Sequence, residues 1–439
     1  MSKEEVKSEL DLFENVRFQN SIERSDFIQY RPITTIENSN TYEFEINAGP
    51  DEYIDIQNIY LWMSVKIHNK NNDNFDDNLG TKENYSTISY PLNTIFDQLS
   101  IYLGSTLITQ ASNNYSYLSY IEALIEPTNR YNTFGNSLCA STSGFVSPYW
   151  KNDYNPDHPH EQIYKLARKS KHFTLYGKMH GALFSTNKYL LNGIPIKFIF
   201  TKASNNFIVI GREGWLTNDT HPVFKLNNIQ IYVRKVKINA NLLIAHAKAL
   251  QIAKAKYPIK RPEIKVINLP SGQSSFSLNN IITGQSPNKI VLGMVSHNAY
   301  VGTNNSNSLR FQHFGLNYLD LNINGNMLPR IPYEPDFRTD HQDYQREYYE
   351  FLMNSGSLEG NFPLQIDYED YAKAFCLFAF NLKSDLKNHS NILDIPKSGF
   401  INIDVRFQEN LSQPVKMIIY TQFDNIIEID EHRNVTTDY

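Results

Sequence analysis

Apolar and polar residues alternate with a period of two in segment after segment of this chain. In TYEFEI, residues 41–46, Tyr42, Phe44 and Ile46 point one way and Glu43 and Glu45 the other. That is the pattern of a half-buried strand. In YIDIQNIYLWMSVKI the residues Ile59, Leu61, Met63, Val65 and Ile67 share one face, which predicts a long strand. GIPIKFIF (193–200), NFIVI (206–210), NIQIYVRKVKI (228–238), EIKVINL, KIVLGMV, GFINIDVRF (399–407) and VKMIIYTQF (415–423) read the same way. Two hairpins stand out. LSIYLGSTLI (99–108) turns at Gly104, and YLDLNINGNML (318–328) turns at Asn324-Gly325, a pair suited to a type I′ turn.

The period changes to three and four in only a few places. Leu118, Ile121, Leu124 and Ile125 predict a short helix over 114–125, and DYQREYYEFLM predicts another over 343–353. The polar stretch 68–84 reads as a loop, and 127–180, rich in Tyr, Pro and Asn, as a long decorated loop.

The order of these elements repeats. LSIYLGSTL matches LDLNINGNML with one insertion, YIEALI (120–125) matches YYEFLM (348–353), and GIPIKFIF matches GFINIDVRF, at offsets of about 200–230 residues. A repeat that long is a duplicated domain, not a solenoid. Each copy holds seven or eight short strands, long loops and one small helix. The predicted fold is therefore all-β: two tandem eight-stranded jelly-roll sandwiches, a double jelly roll, with short helices in loops and a helical linker. The expected division is an N-terminal arm at 1–40, a first jelly roll at 41–239, a helical linker at 240–258, and a second jelly roll with a C-terminal tail at 259–439.

Composition narrows the function. A chain of 439 residues has room for two cores. Its formal charge of −5 excludes a globally basic nucleic-acid coat. Its 28 Tyr and 26 Phe suit strand packing and large subunit interfaces. The two cysteines, Cys139 and Cys376, lie far apart and form no CxxC, which argues for a reducing compartment or no redox role, and against a structural zinc. The first residues are charged and lack an apolar signal core, so no secretion signal is expected, and no run of apolar residues is long enough to span a membrane. The Asn-x-Ser/Thr triplets at Asn84, Asn218 and Asn410 are read as chance matches in an Asn-rich chain.

Catalytic motifs are missing: there is no GxSxG, HExxH, Walker loop or GxGxxG. The polar cluster DHPHE, Asp157 to Glu161, could hold a divalent metal, but no third histidine stands at ligand spacing, and a solvated loop held extended by Pro159 is the preferred reading. TDHQD around His341 is likewise read as surface loop. No catalytic, cofactor-binding or metal-binding residue is assigned, and no cofactor is expected.

The segment LIAHAKALQIAKAKYPIKRPE (243–263) could be a nucleic-acid helix or a connector. On a helix, Lys248, Lys254 and Lys256 fall at about 0°, 240° and 80°, so they form no single stripe. Alanines at 245, 247, 249, 253 and 255 favour helix, and Pro258 and Pro262 set an extended exit. The connector reading follows.

The same segment, continued by SFSLNNIITGQSPNKIVLGMVSHNAYVG, resembles the major capsid protein of Polinton/Maverick elements and adintoviruses. SIERSDFIQYRPITTIENSNTYEFEI, HFGLNYLDLNINGNMLPRIPYEPDF, YEDYAKAFCLFAFNL and FDNIIEIDEHRNVTTDY carry the resemblance over most of the chain, in order. It implies a hexon-like subunit that forms a pseudo-hexameric homotrimer, many of which tile an icosahedral shell. It implies no enzyme activity. The implied partners are neighbouring capsid trimers, penton and minor capsid proteins, and packaged double-stranded DNA only indirectly. The implied location is the virion, assembled inside the host cell. Alternatives are a penton or minor capsid protein, a co-opted jelly-roll binding protein that no longer assembles, and a sugar-binding sandwich protein.

Overall fold

The computed structural model describes residues 18–37, 39–69, 85–109, 113–125, 172–211, 222–303, 306–356, 358, 366, 368–387 and 393–439. The DHPHE cluster, Cys139, Asn84 and Asn218 lie outside the described residues.

The first half contains β1 (Ile22–Tyr30), β2 (Thr41–Ile46), β3 (Glu52–Asn69), β4 (Tyr85–Thr87), β5 (Phe96–Leu103), β6 (Thr106–Leu107), β7 (Phe173–Lys178), β8 (Ile196–Lys202), β9 (Val209–Gly211) and β10 (Pro222–Ile238). They form two antiparallel four-stranded sheets, ordered β1-β10-β3-β7 and β2-β8-β5-β6, and β4 pairs with β9 apart from them. The alternation read in the sequence decides what lies inside. Ile59, Leu61, Met63 and Val65 of β3 are fully buried. They face the second sheet, where Phe44 and Phe200 meet edge to face with centroids 5.9 Å apart.

The second half contains β11 (Ala255–Leu269), β12 (Ser275–Gln285), β13 (Lys289–Ser296), β14 (Leu316–Ile323), β15 (Asn326–Tyr333), β16 (Asp336–Arg338), β17 (His341–Asp343), β18 (Leu377–Asn381), β19 (Ser398–Phe407), β20 (Val415–Ile429) and β21 (Val435–Thr437). Its sheets are ordered β11-β20-β13-β18, with β21 added on β20, and β12-β19-β14-β15. The order matches the first half strand for strand. Each half is an eight-stranded jelly roll, and the chain is a double jelly roll.

The repeat read in the sequence falls on corresponding strands. The hairpins at Gly104 and Asn324-Gly325 are β5–β6 and β14–β15, at the same place in each barrel. Asn324 and Gly325 both have positive φ, 51° and 88°, as a type I′ turn requires. GIPIKFIF and GFINIDVRF supply β8 and β19. The helices Tyr115–Ile125 and Gln345–Asn354 occupy the same connection in each barrel.

Four expectations are corrected. The stretch assigned to an arm, 1–40, holds β1, which pairs with β10 from Ile22 to Tyr30, so the first barrel begins well before residue 41. The linker helix runs Ala240–Leu250, and β11 starts at Ala255 inside the stretch assigned to the linker. Pro258 and Pro262 lie within β11, which tolerates them because it is an edge strand with one free side. The expected loop 127–180 includes β7. NFIVI begins in a short helix, Asn205–Ile208, capped by the Ser204 side chain, and only then extends as β9.

Candidate functional site

The barrels meet at a buried polar seam. Its centre is Glu122, on the helix Tyr115–Ile125, every residue of which is buried. A carboxylate on such a helix must find donors, because an unpaired buried charge costs several kcal/mol, on the order of 3–5 when a partner is lost. Glu122 finds them at both oxygens. Its Oε2 accepts from the Gly181 N–H at 3.1 Å. Its Oε1 accepts from the Tyr420 hydroxyl of the second barrel at 3.3 Å. His180 Nδ1 lies 3.3 Å from Oε2. Nε2 of the same ring lies 2.8 Å from the Tyr90 hydroxyl.

The network continues through the backbone. The His180 N–H donates to the Tyr115 oxygen at 3.2 Å, and Tyr115 donates to Asn93 Oδ1 at 3.1 Å. Burial pushes the Tyr115 hydroxyl well above the ordinary tyrosine range, so it remains a neutral donor. The Glu122–His180 pair is shielded from solvent, which suits joining the barrels.

Aromatic packing flanks the polar centre. Phe311 of the second barrel stacks on Tyr120 at 6.3 Å, and Tyr117 donates to the Ser308 carbonyl at 2.9 Å. Lower down, the Lys260 N–H at the free edge of β11 donates to Ser185 Oγ at 2.8 Å. At the far end, Tyr439 donates to the Ile108 carbonyl at 2.9 Å.

A second feature is the outer face of the sheet β1-β10-β3-β7. Phe27, Tyr60, Tyr176 and Tyr232 form a chain of ring contacts there, with centroids 5.3–6.0 Å apart. Trp62 pairs with Gln230 on one side and Tyr176 on the other, which puts it on the same face. Lys178 lies over the Tyr60 ring, and Arg234 bonds to Asp55 at 3.0 Å. Phe27 is 55 % exposed and Tyr176 41 %. Aromatic and cationic side chains of this kind carry much of the energy in protein interfaces.

A third is an open groove of about 460 Å³ beneath the linker helix, lined by Tyr53, Leu191, Ile238, Leu242, Leu250 and Tyr257 among others. The Asn239 side chain caps the helix by accepting from the Asn241 N–H at 2.9 Å. His246 holds the helix to the barrel through the Tyr53 hydroxyl, 2.9 Å from Nδ1.

The basic residues of 243–263 do not act together. Lys248 is exposed. Lys254 and Lys256 both turn to Glu428, at 3.1 and 3.7 Å. The Arg261 guanidinium lies between the rings of Phe423 and Tyr439, at 4.6 and 4.4 Å. Two of the cations thus tie the linker region to β20, and a third tethers the C-terminal tyrosine.

His341 sits on the exposed hairpin β16–β17, 3.7 Å from Asp336. Hydrogen bonds from Arg338 hold the Asp336 carboxyl down at about 2. Among the described residues no group of three or more His, Cys, Asp or Glu could hold a metal ion. Nor is any helix among them long and apolar enough to cross a membrane. Cys376 is a buried free thiol, raised far above its ordinary pKa by burial, and therefore poorly reactive.

The seam residues were not singled out from the sequence. Glu122 carried a signal, as the lone carboxylate in the apolar helix YSYLSYIEALI. His180 and Tyr420 carried none, because their partners are remote in the chain.

The comparisons agree with the geometry. The chain is 11% identical to a chain in the cryo-EM structure of the Sputnik virophage, covering 99% of this chain and 92% of that one with a TM-score of 0.64. It is 10% identical to the faustovirus major capsid protein (95% and 93% covered, TM-score 0.57) and 11% identical to the mavirus major capsid protein (99% and 93%, TM-score 0.53). The chain has the fold of viral major capsid proteins. In sequence it is 20% identical to the uncharacterized protein F54H12.2 of Caenorhabditis elegans over 406 residues, 90% of this chain and 93% of that protein. No protein-family profile matches.

Proposed function

We propose that this chain is a major capsid protein of the Polinton/Maverick and adintovirus type, and that three copies form a hexon-like capsomer of pseudo-six-fold outline. Many capsomers tile an icosahedral shell, meeting penton and minor capsid proteins at its edges. The single observation that carries the reading is the strand-for-strand duplication: two barrels with the same strand order in one chain. Duplication lets three chains present six similar corners. The near-full-length likeness to capsid proteins of virophages and large viruses supports it. The relative in a nematode fits an element carried in animal genomes. The subunit works by assembly, with no catalytic step. Closed trimers bury the sticky faces, and weak lateral contacts between trimers add through multivalency. DNA is enclosed, not gripped.

The test is expression of the full chain, followed by light scattering behind size exclusion and by negative-stain electron microscopy. Trimers of hexagonal outline, or shells, are expected. A stable monomer at high concentration sinks the reading.

A further inference from the structure

The duplication makes the contact between the two barrels a template for the contact between two chains. In the second barrel, the outer face of the sheet β11-β20-β13-β18 is covered. Tyr420, Ile418, Val291 and Leu377 are fully buried. The first barrel provides part of that cover through its helix Tyr115–Ile125, with Glu122 on Tyr420 and Tyr120 on Phe311.

The corresponding sheet of the first barrel is β1-β10-β3-β7, and its outer face is partly open, with Tyr60, Trp62 and Tyr232 half-buried. Tyr232 lies on the same face of β10 as Tyr420 does of β20, yet its neighbours Phe27 and Tyr176 meet solvent. The element corresponding to Tyr115–Ile125 is the helix Gln345–Asn354, whose YYEFLM repeats YIEALI. One face of that helix packs on its own barrel through Phe351, which meets Tyr371 at 5.7 Å. Its other face shows Tyr349 and Met353, 58 % and 44 % exposed. These stand four residues apart and so present a single apolar ridge.

We infer that the Tyr349–Met353 ridge of one copy docks on the Phe27–Tyr60–Trp62–Tyr176–Tyr232 platform of the next copy. This deepens the capsomer reading and rests on it. The contact is head-to-tail: each chain offers one ridge and one platform. Such a contact forms a ring when its rotation closes. It sets the second barrel's helix against the first barrel's sheet, as the helix Tyr115–Ile125 lies against the second barrel's, but through other positions: Tyr120 and Glu122 align with Tyr348 and Glu350, which bond within their own barrel.

Two double variants test it. Phe27→Asp with Tyr176→Asp spoils the platform and keeps the ridge. Tyr349→Asp with Met353→Asp spoils the ridge and keeps the platform. Light scattering should show a trimer for the native chain and a monomer for each variant alone. Mixed at equal concentration, the two variants should give a heterodimer and no trimer, because one good ridge meets one good platform. Circular dichroism and cooperative melting establish that each variant is folded. If the aspartates unfold either chain, the alanine pairs replace them, and a rise of at least tenfold in the trimer dissociation constant is expected. Trimers that persist in a folded variant, or folded variants that do not combine, overturn the inference and leave the capsomer reading standing. A native chain that remains monomeric overturns both.

Discussion

The Tyr420 hydroxyl donates across the junction of the two barrels to the Glu122 carboxylate, 298 residues away in the chain, at 3.3 Å. Both groups are buried. The bond therefore links the stability of one barrel to that of the other. Replacing Glu122 by Ala removes the acceptor for Tyr420 and for the Gly181 N–H, and with it the carboxylate beside His180. The expected loss is on the order of 3–5 kcal/mol. Tyr420→Phe removes one donor and keeps the ring, for an expected loss of about 1 kcal/mol. Urea unfolding monitored by Trp fluorescence checks both. Equal, small losses would show that the seam is not held through Glu122.

Acid should weaken the second barrel through His313. Its Nδ1 accepts from the Gly315 N–H at 3.0 Å, and its ring stacks on Phe337 at 4.3 Å. Burial, helped by the charge of Arg310, pushes its pKa down to about 4. The unfolded chain, with a histidine near 6.5, then binds more protons than the folded one between those values. This contribution is complete above about pH 6.5 and is lost as the pH falls toward 4, at most about 3 kcal/mol. Asp97 runs the other way: burial raises its carboxyl to about 6, so its contribution grows as the pH falls through the same window. The difference between the native chain and His313→Asn isolates the histidine, since Asn can still accept from Gly315. Melting temperatures from pH 7 to 4 should fall more steeply for the native chain, and parallel curves would refute the assignment.

Gly293 lies where β13 passes closest to its neighbours. A Cβ there would stand 2.6 Å from both Leu377 Cδ2 and Phe311 Cδ1. Phe311 stacks in turn on Tyr120 of the first barrel. Gly293→Ala should therefore disturb the seam as well as the strand, at a cost of about 1–3 kcal/mol. A thermal melt reads the total. Faster hydrogen exchange in the helix Tyr115–Ile125 reads its spread, and a change confined to β13 and β18 would show that the seam is insulated from it.

What could be read in the chain depended on whether one face of an element met water. β3 has Ile59 to Ile67 inside at every second position, and the pattern announced it. The hairpin at Asn324-Gly325 was legible because positive φ at two adjacent residues demands that pair. β1 was missed because it is a largely exposed edge strand whose sequence, IERSDFIQY, does not alternate. β20 was legible only as a strand. Its second buried face, with Tyr420, Gln422 and Asp424 on it, reflects cover that comes from elsewhere in the fold. The seam was illegible for the same reason: Glu122, His180 and Tyr420 come together only after two barrels form. Pro258 and Pro262 looked like punctuation because their place at a free strand edge is a property of the sheet.

The last prediction concerns Arg261, which the sequence grouped with its neighbouring lysines. The structure separates them. Lys254 and Lys256 are exposed and share Glu428, so Lys254→Ser and Lys256→Ser should each cost no more than about 0.5 kcal/mol. Arg261 is different. It lies between Phe423 and Tyr439, donates from Nε to Asn425 Oδ1 at 3.0 Å and pairs with Glu263. Tyr439 in turn bonds to Ile108 of the first barrel. Arg261→Ala should cost about 1–2 kcal/mol from the lost stacking and packing. It should also release the C-terminal tyrosine, raising hydrogen exchange in β21 and leaving β13 unchanged. Arg261→Lys keeps the charge and loses the planar stack, so it should fall between. If the segment instead served nucleic acid, the Lys254 and Lys256 substitutions would weaken binding to a double-stranded DNA fragment at low salt as much as Arg261→Ala does. The stacked geometry predicts that these two lysines can be lost without effect on trimer formation, and that Arg261 alone among the three shifts the stability of the chain.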